Sequence, residues 1–468
     1  MRMKLLTFFL GIIFSTNLFS QTIFLTSQNG SFRANNTWQG NNDPGTTISS
    51  NEVVYINHNV YFDRDLTIEG VLIINQGASL ITNNNRDFAV ENGGKVIANG
   101  LLAVQDFSIQ DNNSRVEIND SLFVNGAAEI IDGKFIVGGA AHFDGDNNDP
   151  FVIEDADSVF VSGKLTVGDF DRGNEGFIIE GNTNFIVAST GFVTIDDEMR
   201  VRDNAVLNTE GSFLVEDDLR ADDNASITLG GTARINKDLN VNDNSAITIT
   251  GNLYVADNME LDNNADITIT STALVEVIGA LEHDGDDLTV NRALVIRDVN
   301  NDGSFLGNGE AILGSGLIQI DGSGLDNNGG TITGTLDICS SDASSNPLSG
   351  NNPSGSVTIC TSSGINFPII PAAPLPVSLL DFDAYLNDKN QVELVWITAS
   401  ELNNDFFTIE RSGEDLNFIA IENIPGKGTT NETNQYNFFD SKPLNGLSYY
   451  RLKQTDYDGR TETFEMIG

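Results

Sequence analysis

From Met199 the chain repeats itself every twenty residues. Four consecutive blocks read MRVRDNAVLNTEGSFLVEDD, LRADDNASITLGGTARINKD, LNVNDNSAITITGNLYVADN and MELDNNADITITSTALVEVI. A fixed period of this size marks a solenoid, in which no repeat can bury its apolar face alone and stacking builds the core. Within a block, short alternating runs are separated by Asn, Asp and Gly. In the block that starts at Leu219 they are Leu219–Ala221, Ser226–Leu229 and Ala233–Asn236. β-Branched residues together with Asn, Asp and Gly exclude helix here. The pattern predicts three short strands per turn, stacked about 4.8 Å apart as parallel ladders.

Read at a strict twenty-residue interval, the columns sort by chemistry. Met199, Leu219, Leu239 and Met259 form one apolar column. Leu207, Ile227, Ile247 and Ile267 form a second, and Val215, Ile235, Val255 and Val275 a third. All are expected in the core. Asn204, Asn224, Asn244 and Asn264 stack at a turn, where amide side chains can hydrogen-bond along the axis. Asp203, Asp223 and Asp243 share the neighbouring column, where each pair repels by roughly 1 kcal/mol in water. Lys237, between Asp217 and Asp257 in their column, relieves the same repulsion. The blocks from Ile179 and from Gly279 fit more loosely, and the latter places His283-Asp284 in the Asp-Asn slot.

Less regular copies run from about residue 59, for example Arg115-Val116-Glu117-Ile118 and Lys134-Phe135-Ile136-Val137. The expected fold class is all-β: a parallel β-helix, or β-solenoid, of about 20 residues per turn over 59–364. Roughly 14 turns give a rod of about 65 Å, with right-handed crossovers the default. Residues 21–58 are expected to cap its first turn, because solenoid ends need covering. Asn36-Thr37-Trp38, Asp43-Pro44-Gly45 and Val53–Val60 look like the start of secreted β-helix proteins with G8-like openings.

Composition narrows the partners. With 24 basic and 67 acidic residues the net charge is −43, which argues against nucleic acid and anionic membranes. Arg2 and Lys4 precede the apolar run Leu5–Phe14, so residues 1–20 read as a signal peptide with cleavage before Gln21. No later run is apolar enough for a membrane span. Cys339 and Cys360 are the two cysteines, and in an exported chain they are expected to form a disulfide.

Four prolines between Pro368 and Pro376 mark a stiff linker, 365–376. After it come longer, aromatic-rich runs: Ser378–Leu386, Gln391–Thr398, Phe406–Glu410, Phe418–Ile424, Tyr436–Phe439, Leu447–Gln454 and Thr461–Ile467. Seven strands within 377–468 suit an immunoglobulin-like sandwich with Trp396 in its core and Tyr449 or Tyr450 as a tyrosine-corner hydroxyl. Val395-Trp396-Ile397-Thr398-Ala399-Ser400-Glu401, Phe407–Ser412, Tyr449–Gln454 and Asp456-Tyr457-Asp458-Gly459 resemble a fibronectin type III-like module of exported Bacteroidota proteins. The resemblance implies that a type IX secretion sorting domain follows. None lies within these residues, so the expectation is a longer chain or another export route.

Polysaccharide-cleaving β-helices need clustered carboxylates or a basic proton acceptor in a groove. The pairs Asp196-Asp197, Asp217-Asp218, Asp222-Asp223 and Asp286-Asp287 sit at turns, where Asp is favoured for backbone reasons. His58, His142 and His283 are too scattered for a nucleophilic triad, so no catalytic residue is assigned. Asp298, Asn300 and Asp302 match the first half of an EF-hand-type loop and are candidate calcium ligands, although Glu310 comes one position late. Asp144–Asp149 is a looser acidic loop. Thr228, Thr248 and Thr268 form a short outward array whose simplest role is strand formation. The expectation is a non-enzymatic secreted or cell-surface rod of structural or adhesive role, with extracellular glycans or surface components as partners. The alternative is a carbohydrate-binding or polysaccharide-cleaving β-helix.

Overall fold

The computed structural model describes residues 21–468 apart from 83–85, 146–149, 169–175, 300–302, 323, 341–346, 361–377, 387–390, 414–417, 431–433, 445, 447, 457–460, 465 and 468. Residues 1–20, read from sequence as a signal peptide, the proline-rich stretch 365–376 and most of the Asp144–Asp149 loop therefore lie outside the described residues.

The chain is all-β, with a parallel solenoid of about 14 turns and about 21 residues per turn, followed by a small antiparallel β domain. Three parallel sheets of 15, 16 and 15 strands run the length of the solenoid. Each turn gives one strand to each sheet in order, so strands pair with those three elements before and after, until the last turn, where Asp337–Cys339 pairs with Thr358–Cys360 two strands on. In the turn from Leu219 the strands are Leu219–Ala221, Ser226–Leu229 and Thr232–Ile235. Strands this short gain stability only from the rungs above and below.

Two of the expected core columns hold as read. Met199, Leu219, Leu239 and Met259 pair in register and are fully buried, as are Leu207, Ile227, Ile247 and Ile267. The third needs correction. Val215, Ile235 and Val255 stack, but the rung above Val255 is Val277, and Val275 stands over Leu253. Two extra residues enter at the corner Thr270–Ala273. A shift of two leaves every side chain on its original face, so the ladder absorbs it without cost to the core. The same shift moves His283 out of the Asp-Asn slot. It pairs with Leu261 and Leu306 at an inward position and is 0% exposed.

The core changes character along the axis. A file of rings runs from Phe32 to Phe185, with neighbouring centroids 4.5–6.4 Å apart. Beyond Phe185 aliphatic side chains fill most of the core. Glycines permit the close stacking of one corner. A Cβ on Gly211, Gly231 or Gly251 would lie 2.1–2.3 Å from the carbonyl oxygen of the glycine one turn below.

Residues 21–58 supply the first rungs and their cover together. Thr22–Leu25 pairs parallel with the next turn. The chain then folds back antiparallel along its free edge: Ser27 N–H donates to Thr37 O at 2.7 Å and Gln39 N–H to Leu25 O at 2.8 Å. Trp38, 1% exposed, packs on Phe24 and Phe32. This blunts the edge and plugs the end of the core.

The outward columns differ along the first sheet. Leu25, Tyr55, Ile73, Ile97, Glu117, Ile136, Phe160 and Ile186 stand in register, half-buried, on successive turns. The column then becomes Asn208, Thr228, Thr248, Thr268 and Thr289.

In the C-terminal domain, Val392–Ser412 is one long strand with two sets of antiparallel partners. Its first part pairs with Ser378–Leu386 and Asn434–Asp440, and its second with Ile419–Thr430 and Tyr449–Asp456. Register shifts near Asn404 separate the two parts. One core draws on both sets: Leu394, Trp396 and Tyr436 from the first, and Phe407, Ile409, Tyr450 and Leu452 from the second.

Candidate functional site

Polar chemistry gathers at the corners and on the outer face of the third sheet. At the corners, side chains replace the backbone partners that bends take away. Asp218 Oδ1 accepts the Asp238 N–H one turn on at 3.0 Å, Asp238 Oδ1 accepts Asn258 N–H at 2.8 Å, and Asn258 Oδ1 accepts Ala280 N–H at 2.8 Å. Burial holds the Asp238 carboxyl above the usual carboxylate range, against the Asn258 N–H bond that favours its charged form. The expected Asn ladder has a rung in Asn264 Nδ2, which donates to Asn244 Oδ1 at 3.0 Å. Asn263 donates to Asp243 at 2.9 Å in the adjoining column. The slot has a second cause. Asp223, Asn224, Asp243 and Asn244 all have φ between 52° and 68°, a left-handed conformation that Asn and Asp tolerate better than other side chains.

On the third sheet, cations are interleaved with carboxylates between turns. Arg200 Nε meets Asp222 Oδ2 at 2.6 Å, Arg202 meets Glu180 at 2.5 Å, and Arg220 meets both Glu198 and Asp218 at 3.1 Å. Lys237 Nζ meets Asp217 Oδ2 at 2.5 Å, as its column position suggested, and this contact raises the Lys237 pKa. Burial, then neighbouring carboxylates, hold Glu154 and Glu260 above the usual range. The carboxylates of this face are thus partly neutralised by cations of the same or neighbouring turns.

The sequence-selected residues are dispersed. Asp298 is 1% exposed with φ 44°, and its Oδ1 accepts the Gly303 N–H at 3.4 Å. Asn300 and Asp302 lie outside the described residues. Among the described residues, no group of three or more His, Cys, Asp or Glu side chains is placed to hold a metal ion. The histidines are far apart in the ladder. His58 Nδ1 lies 3.0 Å from Thr26 Oγ1, the His142 ring is 6.0 Å from Phe123, and His283 is in the core. Cys339 and Cys360 occupy neighbouring rungs of the second sheet and are bonded, with Cα atoms 4.6 Å apart. The Tyr450 hydroxyl donates to Asp440 Oδ2 at 2.8 Å, where Arg411 also binds. Its acceptor is therefore a carboxylate and not the backbone oxygen of a tyrosine corner.

The fold and these ladders define a parallel β-solenoid protein with a C-terminal antiparallel domain. Comparison with protein families, with curated proteins and with solved structures finds no match for the chain.

Proposed function

We propose that the chain is an exported, non-enzymatic rod that serves adhesion or extracellular architecture and presents an acidic surface. One observation carries the reading: of the Asp pairs that sequence offers to chemistry, Asp217, Asp218 and Asp222 are engaged in inter-turn bonds, as is Asp238 in the same ladder. A ladder in which each turn satisfies the next is suited to reach and lateral surface. The fibronectin type III-like resemblance supports export and attachment, and the C-terminal core around Trp396 is compatible with such a module. A disulfide suits an oxidising compartment. The test is protease treatment of intact cells with the culture medium assayed alongside. Digestion at the surface, or recovery from the medium, supports the proposal. Full protection places the protein inside the cell envelope and removes the cell-contact role.

The reading extends to calcium at Asp298, Asn300 and Asp302. Chelation then lowers the melting temperature, and an unchanged melt removes the ion. A glycan-binding role is favoured by a different observation. Tyr385, 54% exposed, and Phe439, 44% exposed, flank Glu393 across adjacent strands, and aromatic rings are ready apolar surface. Retardation in polysaccharide-containing gels, lost in Tyr385→Ala and Phe439→Ala, supports it; equal mobility in all gels counts against it.

A further inference from the structure

We propose that the outer face of the first sheet, over its N-terminal turns, pairs with a second copy of this chain, the two rods lying side by side and pointing the same way. The outward column there carries Ile73, Ile97, Ile136, Phe160 and Ile186, with Glu117 its one ionised member. Their inward neighbours Leu72, Val96, Phe135, Val159 and Phe185 already fill the core. The ladder does not need isoleucine on its outside. Farther along the same sheet the identical position is taken by Thr228, Thr248, Thr268 and Thr289. Both residue types favour strands, so the difference between the halves concerns what lies against the face. An outward column this rich in half-buried apolar side chains, broken only at Glu117, marks a contact surface.

Charge selects the occupant and its direction. Each strand here presents two outward positions. The first carries Lys95, Arg115 and Lys134 on consecutive turns, in register. The second carries the apolar column with Glu117 in the same strand as Arg115, its ion-pair partner. A two-fold axis along the rod sets the first position of each strand opposite the second position of the same turn in the other copy. Arg115 then meets the partner's Glu117 at the centre of the strip, twice by symmetry. A two-fold axis across the rod instead sets the three cations against the same three cations, and like charges opposed across an interface are repulsive. Area makes the dimer a weak one. Six turns at about 4.8 Å and a strand width of about 13 Å give on the order of 400 Å² per copy, about 800 Å² in total, below the roughly 1,000 Å² of a stable interface, so association is expected only at high concentration.

Sedimentation velocity on the full chain tests this, from about 1 μM to about 100 μM. The expected result is a concentration-dependent shift from monomer to dimer mass. Arg115→Glu and Glu117→Arg are each expected to stay monomeric alone, and to associate when the two variants are mixed. Ile97→Asp combined with Ile136→Asp is expected to abolish the dimer. Should that variant misfold, the charge variants at half-exposed positions still decide. A wild type that stays monomeric throughout overturns the proposal, as does a dimer untouched by these substitutions. Dimers that the single charge variants lose and mixing fails to restore overturn the parallel arrangement. A monomer that instead retains an anionic polysaccharide through Lys95, Arg115 and Lys134 overturns it in favour of a glycan ligand.

Discussion

At the residue scale, His283 is the most informative side chain. Its Nε2–H donates to Ala311 O at 3.0 Å, while Nδ1 is buried with no partner among the described residues. Burial lowers its pKa, outweighing that bond and the nearby Asp284, Asp286 and Asp287. The neutral ring is therefore the folded form. Above about 6.5, the ordinary histidine value, folded and unfolded chains both carry it neutral. Below that pH the unfolded chain takes up a proton first, so stability is lost as pH falls. His283→Leu matches Leu261 and Leu306 on the adjoining rungs and removes this loss. Its melting advantage over wild type should grow between about pH 8 and about pH 5; a constant difference would refute the assignment. Asp238 has the opposite sign, because a raised carboxyl pKa makes its charged form a cost that acid relieves. Asp238→Asn keeps the acceptor for Asn258 and should be neutral or stabilising at pH 7. Asp238→Ala leaves that N–H unmet and should cost about 1–2 kcal/mol in urea unfolding. Neither residue's setting was legible in the sequence. The twenty-residue period places the histidine at a turn, and an Asp at a corner looks the same whether it faces water or the next turn.

At the element scale, period and alternation made the ladder legible. Three strands per turn and two of three core columns follow from where Leu219, Ile227 and their neighbours recur. The two-residue insertion at Thr270–Ala273 was not legible, since a shift of two keeps Val275 and Val277 both inward and leaves no trace in the alternation. The aromatic file was missed for a related reason: its rings come from different sheets at uneven intervals, and only the folded turn brings Phe143 within 4.5 Å of Phe151. Phe143→Ala should cost about 3–5 kcal/mol, whereas Thr248→Val on the outside should change stability by less than about 0.5 kcal/mol; similar losses at both sites would contradict the inward and outward assignment. Gly231 has φ 59° and no room for a Cβ, so Gly231→Ala should destabilise by more than about 1 kcal/mol in the same assay. The disulfide acts on the last rungs. Mass spectrometry of untreated protein should show no free thiol, and reduction should expose the segment near Cys360 to protease first.

At the scale of the whole molecule, repulsion outweighs the ion-pair ladders. Arg200, Arg202, Arg220 and Lys237 each pair with carboxylates of their own or neighbouring turns, but the chain still carries a net charge of −43. Screening should therefore stabilise it. The melting temperature should rise as sodium chloride increases from about 10 mM to about 150 mM; a fall would mean that local pairs dominate. The solenoid and the separate C-terminal domain were both legible from the break in composition after residue 376. What the chain attaches to was not, because partner identity lives in surface detail that periodicity does not encode. The fold-back of Ser27–Gln39 has a consequence for the protein at high concentration. A stack of parallel strands is the same lattice that grows amyloid, and an uncovered terminal rung is a seed. By bonding at Leu25 and Ser27 and seating Trp38 over the core, this segment covers part of the terminal rung and hinders growth at the first turn. Deleting the fold-back should turn that end into a nucleus for fibres.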